Sequence, residues 1–238
     1  MNEKERLDRF QEEMHAKMLL HAKKLGLCDD DAEPIYDGIC NTSGYSESPI
    51  KVMWLLKEAW EIDENGQPGK GGWEIWEPWY NATEMNEMWR TMMYVMYGIA
   101  TGTPYREMPV VDDDMLELLK STAYININKM PGHTTSGSMK NAYNQWRDII
   151  LEQIKGYNPD VIIFGNTFEG LFEHENIALN SVTADGLGSP GIVGAYIGEG
   201  KLLVDVWHPS PFRKSSKPEI TNEVYVDTIV KAVRGFHK

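Results

Sequence analysis

The stretch Ile50-Lys-Val-Met-Trp-Leu-Leu-Lys-Glu58 decides the fold. From Ile50 to Leu56 it is almost continuously apolar, then it turns charged at Lys57 and Glu58. A strand covered on both faces reads this way, and such strands belong to parallel sheets flanked by helices. Working outward, residues 123–128 and 161–164 read as two further strands, the second introduced by Asn158-Pro159-Asp160 and closed by Gly165. Residues 192–197 and 202–207 read as later strands.

Between the strands lie helical patterns. Leu7, Phe10, Met14, Met18 and His21 recur at three- and four-residue spacing, which predicts an amphipathic helix over residues 3–25 that stops at Gly26. Residues 84–100, 112–120, 140–154 and 222–236 also read as helices, and Asn166 or Thr167 is placed to cap a short one after the third strand. Residues 28–48 read as loop. Residues 61–82 form a long loop with Gly66, Gly69, Gly71 and Gly72 and with Trp60, Trp73, Trp76 and Trp79 in or beside it. The alternation predicts an α/β fold, a three-layer α/β/α sandwich with a mostly parallel central sheet. One domain spans residues 1–238, its first 26 residues being the N-terminal helix.

Composition narrows the classes. The chain has 238 residues, 42% hydrophobic and 25% charged, enough to bury a core without staples. Cys28 and Cys40 are the only cysteines, which fits a reducing cytoplasm and excludes a four-cysteine cluster within one chain. No apolar run approaches the ~20 residues of a membrane span, and the first residues lack the apolar core of a signal peptide. The net charge of −13 runs against phosphate binding, although a local patch decides where a polyanion docks. The acidic runs 29–31 and 112–114 read as solvated faces or helix caps. Gly186-x-Gly188-x-x-Gly191 is interrupted by Pro190 and precedes a strand, so it reads as a turn. No zinc spacing, P-loop or Gly-x-Ser-x-Gly elbow is present, and neither metal nor organic cofactor is expected.

Three strand ends carry candidate chemistry. Lys57 and Glu58 follow the first buried strand, at the kind of edge where open α/β sheets bind ligands. In Tyr124-Ile-Asn-Ile-Asn-Lys-Met-Pro-Gly132, period-two alternation puts Tyr124, Asn126 and Asn128 on one face, and buried amides need partners. In Val204-Asp-Val-Trp-His-Pro-Ser-Pro-Phe212, a strand runs into a loop carrying His208 and Ser210.

In this order the three segments resemble the uracil-DNA glycosylase superfamily. His208-Pro209-Ser210-Pro211 looks like the family's second active-site motif, Glu58-Ala59 like part of the first, and the Asn126 strand like the base-reading strand. The resemblance spans about residues 34–236 and implies a uracil-DNA glycosylase-like fold and removal of uracil or another damaged base from single- or double-stranded DNA by a monomer. It implies that Glu58 stabilises the oxocarbenium ion and orients water, that His208 donates to the departing base, and that Asn126 reads the base edge. Trp73 falls where the stacking aromatic belongs, with Trp76, Trp79 and Tyr80 as competitors. Ser210 would hold a phosphate, Phe212 would wedge into the emptied stack, and Arg213, Lys214 and Lys217 form a basic patch for DNA.

Each residue also has a plainer reading. Glu58 alone suits a helix start, His208-Pro209 a turn, Asn126 a satisfied core amide, Phe212 the core, and the tryptophan loop a packed lid. Lys57 and Trp60 stand where the family carries small residues, which favours a non-catalytic module that binds a nucleobase, nucleotide or nucleic-acid end. A different small-molecule hydrolase would suit the acidic surface.

Overall fold

All five residues of Val52–Leu56 are buried, and they form β2 at the centre of the sheet. The computed structural model describes residues 1–28, 32–132, 139–168, 180–181, 192–210 and 218–236. Among these the other strands are β1 (Gly38–Ile39), β3 (Ala123–Asn126), β4 (Val161–Gly165), β5 (Asn180–Ser181), β6 (Ile192–Gly198) and β7 (Lys201–Val206). They form one sheet in the order β1-β3-β2-β4-β7-β6-β5. The inner pairs β3/β2, β2/β4 and β4/β7 are parallel, and the outer pairs β1/β3, β7/β6 and β6/β5 are antiparallel.

The helices are α1 (Glu3–Lys24), α2 (Thr42–Glu47), α3 (Glu87–Thr101), α4 (Asp113–Lys120), α5 (Met139–Tyr157) and α6 (Asn222–Phe236). Strand alternation divides the core in two. Val52, Trp54 and Leu56 pack with Met92, Met115 and Tyr225 from α3, α4 and α6. Met53 and Leu55 pack with Leu7, Met14, Trp146 and Ile150 from α1 and α5. Helices therefore cover both faces, the three-layer α/β sandwich expected of a continuously apolar central strand. Each such large side chain contributes about 1.5–3 kcal/mol on burial. No helix among the described residues is long and apolar enough to cross a membrane.

Local chemistry sets the boundaries. Asn2 and Glu5 form a reciprocal capping box on α1, and Gly26 follows its end at φ +67°. Asp112 accepts the Met115 N–H at 3.0 Å and caps α4, so the acidic run 112–114 is a helix start. Residues 28–48, read as loop, hold β1 and α2. Neither has a periodic pattern to read: β1 is two residues, and α2 is a six-residue turn capped by Asn41 and anchored by buried Tyr45, whose hydroxyl donates to Tyr157 O at 3.2 Å. Helix α3 begins at Glu87 rather than 84, because Asn86 accepts the Trp89 N–H and residues 82–84 form a separate turn. At the sheet edge, Gln11 of α1 accepts the Ile39 N–H (2.6 Å) and donates to Ile39 O (3.0 Å), blunting β1 against further pairing. Gly38 makes that approach possible: a Cβ there would lie 2.5 Å from Gln11 Oε1. The short helix expected after Thr167 and the Gly186–Gly191 turn lie outside the described residues.

Candidate functional site

The parallel strands stand in the order second, first, third, fourth along the chain, so the winding reverses between β2 and β4. At the carboxyl side of such a reversal the connections diverge to opposite faces and leave a crevice, the usual ligand site of open α/β sheets. The register aligns Leu56 with Asn126, Leu55 with Phe164, and Gly165 with Val206. The Glu58, Asn126 and His208 segments thus all leave the sheet at this one edge. Gly165 lets them close up. A Cβ on it would lie 2.2 Å from Leu56 Cδ2 and 3.4 Å from Pro209 Cδ, so Leu56 lies over the glycine with Pro209 alongside.

The next residue, Asn166, has φ +60°, a left-handed conformation that asparagine tolerates better than most residues. Its N–H donates to Val206 O at 2.7 Å, and the buried Thr167 hydroxyl donates to Leu55 O at 2.8 Å. The end of β4 is therefore tied to both neighbouring strands.

Asn126 is 1% exposed. Its side-chain Oδ1 has no hydrogen-bond partner among the described residues. Leaving a buried acceptor unmade costs about 1–3 kcal/mol, so it calls for an explanation. Glu58 is half-buried and lies over Gly132: its Cγ and Cδ are 3.8 and 3.9 Å from where a glycine Cβ would be, and Asn128 Nδ2 is 4.0 Å from the same point. Glu58 and Asn128 thus both flank Gly132, and sequence reasoning gave Asn128 no role. Asn128 also holds the turn, donating its N–H to Lys57 O (2.8 Å) and accepting the Met130 N–H (3.1 Å).

His208 is half-buried, and its Nδ1 accepts the backbone N–H of Ser210 at 3.2 Å. That bond needs the Nδ1 lone pair, so the neutral ring carries its proton on Nε2 as a donor. It engages the Ser210 backbone. Tyr225 of α6 fixes the base of the loop by donating to Trp207 O at 2.8 Å. Phe212, Arg213, Lys214 and Lys217 lie outside the described residues.

The tryptophan loop is packed, each ring in its own way. Glu61 fastens it, accepting from Lys70 N (3.1 Å), Gly71 N (3.2 Å) and Trp73 Nε1 (2.7 Å). Trp73 is half-buried against the core and anchored three residues beyond Glu58. Trp79, a competitor for the stacking role, is 3% exposed and packs 4.8 Å from Trp89 and 6.0 Å from Tyr124. It is part of the core. Trp60 is 66% and Tyr80 is 72% exposed.

Sequence reasoning missed a buried polar group behind Asn126. Asp37, Lys129 and Gln153 are sealed from solvent and bonded to one another, and Asp37 Oδ2 accepts the Asn126 N–H at 2.7 Å. Burial pulls Lys129 below the ordinary lysine range, against the pull of Asp37. One signal was available: Gln153 falls on the apolar stripe of α5 with Trp146, Ile150 and Tyr157.

Two surface clefts, of about 180 and 550 Å³, are lined by residues such as Arg90 and Tyr94 or Phe10 and Lys155, and neither includes a residue of the three strand ends. Among the described residues no group of three His, Cys, Asp or Glu side chains converges to hold a metal. No family model matches the chain, and no curated protein matches it.

Proposed function

We propose that the crevice at the carboxyl edge of β2, β3 and β4 receives a nucleobase, and that the protein is a uracil-DNA glycosylase-like enzyme. It would hydrolyse the N-glycosidic bond of uracil or another damaged base in DNA. The observation that carries this reading is the buried, unpartnered Oδ1 of Asn126 at the carboxyl end of β3, the neighbour of β2. A base presenting an N–H would supply the missing donor, and a base lacking it would leave the acceptor unmade. Selectivity in binding follows from that difference.

The chemistry assigned to the neighbours is economical. As the bond to the base lengthens, positive charge grows on the sugar and negative charge on the base. Glu58 would stabilise the first and orient water, and the Nε2–H of neutral His208 would donate to the second. Trp73 would stack on the flipped base, Ser210 and the 212–214 segment would meet the DNA backbone and stack, and no metal or cofactor enters. A monomer acting in a reducing cytoplasm completes the reading.

Incubation with oligonucleotides carrying uracil or hypoxanthine, followed by alkaline cleavage, tests it. Glu58→Gln should lower excision by about a hundredfold or more while base binding persists, because the charge goes and the shape stays. Absence of excision for every lesion, with base binding retained, would leave a second reading, a non-catalytic nucleobase-binding module. Lys57 favours that alternative: it is 7% exposed and directly precedes Glu58, where a bulky cation takes room that a sugar needs.

A further inference from the structure

Behind Asn126 lies a closed polar ring. Lys129 Nζ donates to both oxygens of Asp37 (3.1 and 2.8 Å) and to Gln153 Oε1 (2.7 Å), while Gln153 Nε2 donates back to Asp37 Oδ1 (2.8 Å). The Asn126 N–H donates into the ring, to Asp37 Oδ2 at 2.7 Å. Asp37 stands one residue before β1, which pairs with β3 through Gly38 and Tyr124. Its carboxylate therefore takes the place of the next acceptor in the β1–β3 ladder. On the same side, Lys129 O accepts the Ile35 N–H at 2.7 Å. On the other side, Ile127 N–H and Asn128 N–H go to the carbonyls of Leu56 (2.9 Å) and Lys57 (2.8 Å). Residues 126–129 are clamped from both sides.

A buried ion pair is a poor means to stability alone, because desolvation offsets most of the attraction and apolar side chains of equal volume often serve as well. Its distinctive property is direction: each donor and acceptor here fixes another. The fold had a cheaper option and spends a sealed charge pair directly behind the one strand end with an orphan acceptor. We propose that Asp37, Lys129 and Gln153 are positioning residues, which hold the end of β3 so that Asn126 Oδ1 stays without a partner from its own chain, and so set base preference. This rests on the nucleobase reading above. Without the carboxylate, the Asn126 N–H loses its acceptor, the turn relaxes, and the amide is free to satisfy itself.

The test measures the affinity of the full chain for single-stranded oligonucleotides with one uracil or hypoxanthine, against the same oligonucleotides with cytosine or adenine, which lack the ring N–H. The triple variant Asp37→Leu/Lys129→Met/Gln153→Leu replaces the ring with apolar volume. It should unfold near the wild-type temperature and bind cytosine oligonucleotides as before. Its preference for the damaged base should fall about tenfold, equivalent to about 1.4 kcal/mol. The neutral variant Asp37→Asn/Lys129→Gln keeps an acceptor for the Asn126 N–H and should retain the preference. An unchanged preference in the triple variant, or a lost one in the neutral variant, overturns the proposal. Should the triple variant not fold, Gln153→Leu decides, because it removes two bonds of the ring, and an unchanged preference there overturns it equally. A wild-type protein that prefers no base overturns the nucleobase reading itself, a result distinct from preference surviving in the variants.

Discussion

At the amino end of the parallel strands, polar groups are spent on each other. Asp160 accepts the Lys51 N–H at 2.8 Å, and Lys201 donates to Asn158 Oδ1 (2.7 Å) and Pro159 O (2.8 Å). Tyr45 donates to Tyr157 O, and Arg6 of α1 to Gly156 O. At the carboxyl end an amide oxygen is left over and a tryptophan is two-thirds exposed. One end is finished, and the other is prepared for something absent from the fold. Mutual satisfaction at one end and an orphan acceptor at the other are the pattern expected when stability and recognition are divided between the two edges of a sheet.

Breaking the carboxyl end at its charge pair should have the largest effect. Lys129→Met alone leaves the Asp37 carboxylate sealed from solvent with its counter-ion removed. The expected loss is about 3–5 kcal/mol in denaturant unfolding, far more than the pair contributes when intact. A loss below about 1 kcal/mol would mean that Asp37 reaches water, and the two ends would then differ less than their bonding suggests.

The next largest effect should be on binding. Trp73→Ala is expected to weaken binding of a single-stranded oligonucleotide by about ten- to a hundredfold, the worth of one stacked base. Trp73→Phe should recover much of it, since a ring remains, although the bond to Glu61 is lost. Equal weakening by both variants, measured by fluorescence anisotropy, would assign Trp73 to anchoring the loop rather than to stacking.

The amino end supplies the control. Asp160→Ala removes the acceptor for the Lys51 N–H and should cost about 1–2 kcal/mol of stability with no change in base preference. A change in preference would show the two ends to be coupled through β4, whose Asp160 and Gly165 stand at its opposite ends.

How much of this contrast was legible follows from which residues announce their surroundings. The run 50–56 reads as a strand because every side chain in it but Lys51 is apolar, and the five residues 52–56 that form β2 are buried on both faces. The stripe on α5 is as plain, and it contains Gln153 without saying why. The partner of Gln153 is 116 residues away and that of Lys129 is 92 away, and no local spacing carries such a pairing. Lysine is normally a surface residue, so nothing in the sequence marks Lys129 as buried. The loop tryptophans could not be ranked either: Trp73 and Trp79 have similar sequence neighbourhoods, and only the docking of Trp89 and Tyr124 makes Trp79 core. The strand ends themselves were readable, since apolar runs stop where the sheet stops. Their meeting at one edge depends on the parallel pairing of β2, β3, β4 and β7, which the alternation of strands and helices implies.

The smallest effect concerns pH, and it too separates the ends. His15 of α1 sits with its ring 5.0 Å from Tyr36 and 6.1 Å from Trp76, its Nε2 3.3 Å from Asp37 O and its Nδ1 3.9 Å from Glu74 Oε1. Burial lowers its pKa below the ordinary 6.5, with Asp37 and Glu74 opposing and the Lys129 charge assisting. Between the lowered folded value and 6.5, the unfolded chain binds more protons than the folded one. Stability is therefore full above 6.5 and falls as pH drops through that window, by no more than about 1.4 kcal/mol per pH unit. At the amino end, Glu3 is held below the ordinary 4.5 by Arg6 and Asp8 below the ordinary 3.8 by Lys4, so their contributions are lost only in more acid solution. His15→Gln should flatten the stability profile just below pH 6.5 by removing this one titration. Hydrogen exchange locates the effect. The Asn126 amide, bonded to the residue whose carbonyl His15 faces, should lose protection over that window in the wild type and keep it in His15→Gln. The Val161 amide, bonded to Lys51 O at the other end, should lose no more than the global unfolding equilibrium requires. Equal loss at both amides would mean that the sheet opens as one unit, and the division between its ends would then hold for chemistry and not for stability.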